Sequence, residues 1–244
     1  MENNTPAQSR VSRWFISIVR LCLTVALPIF LVLTSVRLVM SEAFLQIEYH
    51  RPGFPADRYG FTQKDRLTYA PYAVQYLLND AGIDYLGDLT IAGEPMFTAR
   101  ELKHMEDVKV VTRIAFRVQL LLTLGMAAVV IFLAWRPQTR QTLRQGLFEG
   151  GLLTIAAIIT LVVLVIAGWN TFFTGFHQLF FEGDSWQFST RDTLIRLFPE
   201  QFWFDAALCI GLLTVTGALS AVAMAWLWER RQPNEEKEIV PSTE

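Results

Sequence analysis

Cysteine, histidine and charge are all scarce in this 244-residue chain, and each scarcity narrows the possible functions. Two cysteines, Cys22 and Cys209, fall inside apolar runs with no CxxC partner and no metal spacing, so they read as small apolar packing residues. The three histidines, His50, His104 and His177, form no HExxH and no close pair. No G-x-S-x-G elbow and no evident Cys-His pair supplies a nucleophile. A net charge of −2 without a basic block gives no reason to expect nucleic acid. Internal repeats and low-complexity segments are also missing.

What the chain has instead is apolar length: 52% hydrophobic residues and a mean hydropathy of +0.31. Four blocks, residues 14–40, 115–135, 147–169 and 206–228, reach the roughly 20 residues that cross a bilayer at about 1.5 Å rise each. The last of them carries no charge from Ala206 to Trp228. The first is too long for a signal-peptide core and lacks an A-x-A cleavage site, so it reads as an anchor. The expected class is therefore a mainly α membrane protein, with four transmembrane helices and a small mixed α/β extracellular cap.

Basic residues set the orientation. Arg10 and Arg13 precede the first span, Arg136, Arg140 and Arg144 fill the loop 136–146 without an acid, and Arg230 and Arg231 close the fourth span. Those sides, with the termini 1–13 and 229–244, are expected in the cytoplasm of a multi-pass cell-membrane protein. The acidic tail after Arg231 reads as solvated and disordered. The connections 41–114 and 170–205 then face outward.

Within the cap, Phe44–Tyr49 alternates like a half-buried strand, ended by RPGFP, which leaves His50 as a turn residue. Pro71–Asn79 reads as a short helix with Pro first, Asp88–Ala92 as a second strand and Gly93–Pro95 as a turn. Thr98-Ala99-Arg100-Glu101 is a capping box opening a helix that runs on into the second span. His104 lies on its first turns. Asp107, three residues on, shares its face and is the candidate for holding His104 in one tautomer; the competing reading is a surface ion pair. In the second loop, Trp186–Phe188 reads as a short strand and Arg191–Phe198 as a short helix capped by Ser189 or Thr190. Pro199 then starts the fourth span helix.

From Trp169 to Phe204, twelve of thirty-six residues are aromatic, against 13% in the chain as a whole. Such a run suits an aromatic belt at the headgroups. It suits equally the wall of a chamber around His177, built from Phe173, Phe176, Phe180 and Trp186.

The motifs RELKHMEDVK and FHQLFFEGDSW, with DTLIRLFPEQFW after them, resemble the lipoprotein intramolecular transacylase family of bacterial membrane proteins. The resemblance covers four spans, a large and a smaller outer loop, and one histidine in each loop, 73 residues apart; the tails and much of 42–94 diverge. It implies acyl transfer on diacylglyceryl-modified lipoproteins among membrane lipids, without cofactor or metal. The sn-2 acyl chain would pass to the α-amine of the same N-terminal cysteine, giving the lyso-form. The family's two histidines fall on His104 and His177, as general base and acid in an order left open. Groups titrating near 6.5 suit both tasks at neutral pH. No enzyme nucleophile is needed when amine and ester share one molecule, and holding them together is worth up to about 7–11 kcal/mol. Three other readings compete: a non-catalytic membrane assembly partner, a transporter with too few central polar residues, and a metal-dependent lipid hydrolase using all three histidines.

Overall fold

The computed structural model describes residues 6–230 except Glu182 and Asp184, with side chains from Trp14 onward. The acidic tail, Arg231 and the side chains of Arg10 and Arg13 lie outside the described residues.

In chain order the elements are α1 (Pro6–Val39), α2 (Glu42–His50), α3 (Gln63–Leu78), α4 (Asp84–Gly87), β1 (Thr90–Ile91), β2 (Glu94–Pro95), α5 (Ala99–Trp135), α6 (Arg140–Ala167), α7 (Trp169–Phe180), α8 (Thr193–Leu197) and α9 (Glu200–Arg230). A 3-10 turn, Pro137–Thr139, joins α5 to α6. Four of these helices, α1, α5, α6 and α9, are long and apolar enough to cross a membrane. Helix α6 packs against both α1 and α9, and α1 also touches α9 and α5. Glycine permits the close approach: a Cβ at Gly151 would stand 2.9 Å from the Ala218 carbonyl oxygen, and one at Gly150 3.1 Å from that of Thr24. Small residues at such crossings let helix backbones pack in lipid, where apolar burial alone gives no drive.

Helix α5 has 37 residues, so it is about 55 Å long against a hydrocarbon core of about 30 Å. Its apolar half, 115–135, crosses. Its first four turns project beyond that half and carry charged residues into the cap.

The cap is almost wholly helical, and this corrects several local expectations. Phe44–Tyr49 is not a strand: α2 covers it, with the Ser41 side chain capping the Phe44 N–H. Its buried residues are Phe44, Leu45, Glu48 and Tyr49, a one-and-four helical face, while Ile47 is 70% exposed. Six alternating residues were too few to separate the two periods. Helix α3 starts eight residues earlier than Pro71, at a capping box of Thr62 and Asp65, and carries Pro71 internally. The second strand shrinks to a two-residue hairpin in which Thr90 pairs Pro95 and Ile91 pairs Glu94. Its turn is Ala92-Gly93, both at positive φ. Trp186–Phe188 forms no strand, and α8 is shorter than expected, with Asp192 at its N-cap. Pro199 does precede α9, as its fixed φ and missing N–H favour.

The cap core joins Leu45, Tyr49, Tyr76, Leu86, Met105, Leu197, Phe198 and Phe202, so it draws on both connections and on the upper turns of α5 and α9.

Candidate active site

Two helix starts position the first histidine. At the start of α5, the Thr98 hydroxyl accepts from the Glu101 N–H, and the Glu101 carboxylate accepts from the Thr98 N–H at 2.8 Å. Glu101 has no solvent exposure, and its other oxygen accepts the Leu194 N–H at 2.8 Å. One carboxylate thus caps α5 and ties it to α8, ninety-three residues away in sequence. His104 follows one turn later. Its ring meets Phe188 edge-on at 5.2 Å and Phe181 at 5.2 Å. The guanidinium of Arg100 covers Phe188 at 5.2 Å and pairs with Asp192, which holds that ring against the imidazole.

The second histidine stands on α7, a short helix that leaves α6 at Gly168. Phe176, Leu179 and Phe180 are exposed on this helix, and Leu179 is 76% exposed. His177 turns towards other rings: Phe173 at 4.2 Å, Phe176 at 5.5 Å, Phe181 at 5.9 Å and Trp186, stacked at 4.7 Å. Its Nδ1 lies 2.8 Å from the Phe173 carbonyl oxygen. A carbonyl only accepts, so Nδ1 carries the hydrogen in the neutral ring and Nε2 keeps a bare lone pair.

Phe181 is the meeting point, since both imidazoles pack on its ring. It also lines an open hollow of about 540 Å³ with Gln178, Leu179, Phe180 and Gly183. Burial disfavours the charged form of both histidines. It pushes His104 down to about 4, helped by the nearby charge of His177 and opposed by Asp107. The His177 ring is likewise lowered by burial, with its Phe173 hydrogen bond opposing. Both rings are therefore neutral at pH 7. Two buried side-chain atoms lack a hydrogen-bond partner among the described residues, His104 Nδ1 and Trp186 Nε1, and both belong to this cluster.

Asp107 does not hydrogen-bond His104. Its carboxylate lies 3.2 Å from Lys103 Nζ, a full cation one turn back, which outcompetes a neutral imidazole. Phe173 and Trp186 pack directly on His177, whereas Phe180 reaches it only through Phe176, at 5.0 Å. His50 ends α2, exposed, with Nδ1 2.7 Å from the Gln46 carbonyl oxygen. Among the described residues no three His, Cys, Asp or Glu side chains are grouped to hold a metal ion. Phe181, Phe188 and Glu101 went unassigned by sequence reasoning. For Glu101 the capping box was a signal of helix start only, silent about the Leu194 tie.

Comparison with known proteins identifies the family and the fold. The family model for lipoprotein intramolecular transacylase Lit matches residues 21–203. An uncharacterized protein of Aquifex aeolicus (strain VF5) is 30% identical over 199 residues, covering 81% of this chain and 88% of that one. The fold is similar to the in meso structure of the membrane integral lipoprotein intramolecular transacylase Lit from Bacillus cereus, at a TM-score of 0.75 and 19% identity, over 89% of this chain and 99% of that one. A form of the Bacillus protein with one histidine replaced by arginine gives a TM-score of 0.69 at 18% identity, over 92% and 96%. With a family model spanning most of its length, four membrane-crossing helices and two histidines brought to one ring, this chain belongs to the lipoprotein intramolecular transacylase family of membrane acyltransferases.

Proposed function

We propose that the protein moves the sn-2 acyl chain of a diacylglyceryl-cysteine lipoprotein to the α-amine of the same cysteine. The product is the N-acyl, S-monoacylglyceryl lyso-form. The amine nitrogen adds to the ester carbonyl carbon, the bond to the glyceryl oxygen breaks, and one N–H proton ends on that oxygen. Substrate and product are isomers, so no co-reactant enters.

The observation that carries this reading is the convergence of His104 and His177 on Phe181. His177 suits the general base. Its Nε2 lone pair is free because Nδ1–H is committed to Phe173, and burial keeps the ring neutral at pH 7. His104 suits relay of the amine proton to the departing oxygen: one ring nitrogen takes a proton up while Nδ1, unpaired in the fold, gives one to the oxygen, so both rings end neutral. General acid–base help of this kind contributes roughly 10²–10⁴-fold. Phe173, Phe176, Phe180 and Trp186 form the apolar wall that folds a flexible headgroup on itself, and Asp107 acts on His104 only through its field.

In this reading the cap and α7 face outward and both termini lie in the cytoplasm, because the loop at 136–146 is basic and the aromatic connection acidic. The exposed rings of α7 then lie at the lipid surface. Mass spectra of lipoprotein N-termini from cells with and without the protein test the proposal. The lyso-form is expected only where the protein is present, and identical spectra would overturn the reading.

A further inference from the structure

Trp186 is 9% exposed, stacked on His177 at an interplanar angle of 30° and set edge-on to Phe173 at 6.3 Å. Its Nε1–H is shut off from solvent with no acceptor among the described residues. An indole nitrogen can only donate, and no described group accepts from it, so an acceptor supplied by a bound molecule would complete it. Other donors nearby are paired: the buried Tyr49 hydroxyl gives its hydrogen to the Leu197 carbonyl at 2.9 Å, and even Trp203, 45% exposed, gives its indole hydrogen to that of Phe198 at 3.1 Å. Only two buried side-chain polar atoms among the described residues are left over, and both belong to residues of the histidine cluster. Native structures rarely tolerate such orphans except where a ligand completes them.

Resting on the proposed acyl transfer, we infer that the Trp186 indole N–H is a catalytic hydrogen-bond donor to the acyl carbonyl oxygen of the substrate. As the amine nitrogen bonds to the carbonyl carbon, the C=O pair moves onto oxygen and the N–H bond to it strengthens. When the carbonyl re-forms, the glyceryl oxygen leaves with the C–O pair and takes the proton that the amine lost. The indole transfers no proton, because its N–H is far too weak an acid. A donor already fixed by packing costs no reorganisation when charge develops, which is why such groups are effective. The stack with His177 adds a second consequence: donor and base keep one relative position, so the carbonyl carbon is presented at a set distance from Nε2.

The test replaces Trp186 by β-(3-benzothienyl)alanine, which keeps the bicyclic shape and substitutes sulfur for the N–H. Purified wild-type and substituted proteins in detergent are given a synthetic diacylglyceryl lipopeptide with a free α-amine. Loss of one oxyanion donor predicts a kcat lower by about 10²-fold with KM nearly unchanged. The melting temperature stays equal or rises, since the stack remains and an unpaired donor is gone. Trp186→Phe gives a similar fall in kcat. Turnover of the benzothienyl protein within about twofold of wild type would overturn the inference, because 10²-fold is the effect asked of the donor. So would a kcat loss that only tracks a lowered melting temperature. If wild type itself leaves the lipopeptide unconverted, the acyl-transfer reading fails, and the donor role with it.

Discussion

Two aromatic regions of the cap are built from adjoining parts of one sequence run and are finished differently. In the core around Phe198 and Phe202, rings pack at 5.0–5.9 Å with Phe44 edge-on and Tyr49 tilted, and polar groups find partners. Arg66, buried there, donates to the carbonyl oxygens of Arg196 and Pro55 at 2.9 and 2.6 Å. Around His177 the rings pack as closely, yet α7 has no buried residue, and two polar atoms nearby are left without partners. Full pairing gives stability and a single packing. Incomplete pairing costs about 1–3 kcal/mol per buried group and leaves a place for a ligand to complete. Aromatic density alone does not separate the two regions; the pairing of the polar atoms within them does.

The sharpest way to break this contrast is to remove the histidines. His104→Ala and His177→Ala are each expected to lower turnover by about 10³-fold while the protein stays folded, with a loss of melting temperature too small to account for it. The double variant should be little worse than either single one, since groups acting as a unit fail together. Near-normal turnover by either single variant removes that histidine from the chemistry and reduces its cluster to packing.

The converse experiment is Glu101→Ala, on the stabilising side of the comparison. Its carboxylate accepts from Thr98 and Leu194 in a site without solvent, and stranding the Leu194 N–H costs about 3 kcal/mol. Thermal unfolding in detergent should show this before any assay does. A variant as stable as wild type would mean that the tie between α5 and α8 is idle.

Acid sharpens the contrast further. An unfolded histidine takes up its proton near 6.5, whereas His104 in the fold resists until about 4. Between those values the unfolded state binds more protons, so stability is full above 6.5 and falls as pH drops towards 4. His104→Leu should flatten that part of the stability curve. For catalysis the lowered His177 predicts an acid limb of kcat/KM below 6.5. A limb above that value would contradict the burial described here.

The smallest effects are expected away from both regions. Trp228 packs at the end of the bundle remote from the cap, beside the cluster of Leu23, Leu133 and Leu143. Trp228→Ala should cost some stability and leave kcat alone. His50→Ala should change neither, because its ring is exposed and engages only its own helix. A loss of turnover as deep as that of His104→Ala at either position would erase the distinction between the regions.

Much of this was legible in the chain itself. The four spans follow from apolar length, the start of α5 from its capping box, and the interest of His104 and His177 from their motifs. The missed parts fail for identifiable reasons. The six residues 44–49 are too few to separate strand from helix periods, and the adjacent buried pair Phe44–Leu45, with Ile47 exposed beside buried Glu48, tells them apart once burial is known. Asp107 had two neighbours within one turn, and the sequence does not say that the charged Lys103 prevails over His104. The contact of Glu101 with Leu194 joins residues ninety-three apart and leaves no local pattern. Phe181, between the histidines, differs in no way as a residue from the Phe180 beside it.

The uninterrupted course of α5 has a consequence for the length of the chain rather than its composition. His104 and the lipid-crossing residues after Ala115 are in one helical phase, with no joint to absorb an error. Inserting a single residue among 108–114 would swing the imidazole by about 100° relative to the bilayer and raise it by about 1.5 Å. Seven inserted residues would nearly restore the bearing, yet lift the ring about 10 Å from the membrane. An exposed position there such as Val110 is free to drift in identity, while the residue count of the stretch is fixed as rigidly as the histidine itself.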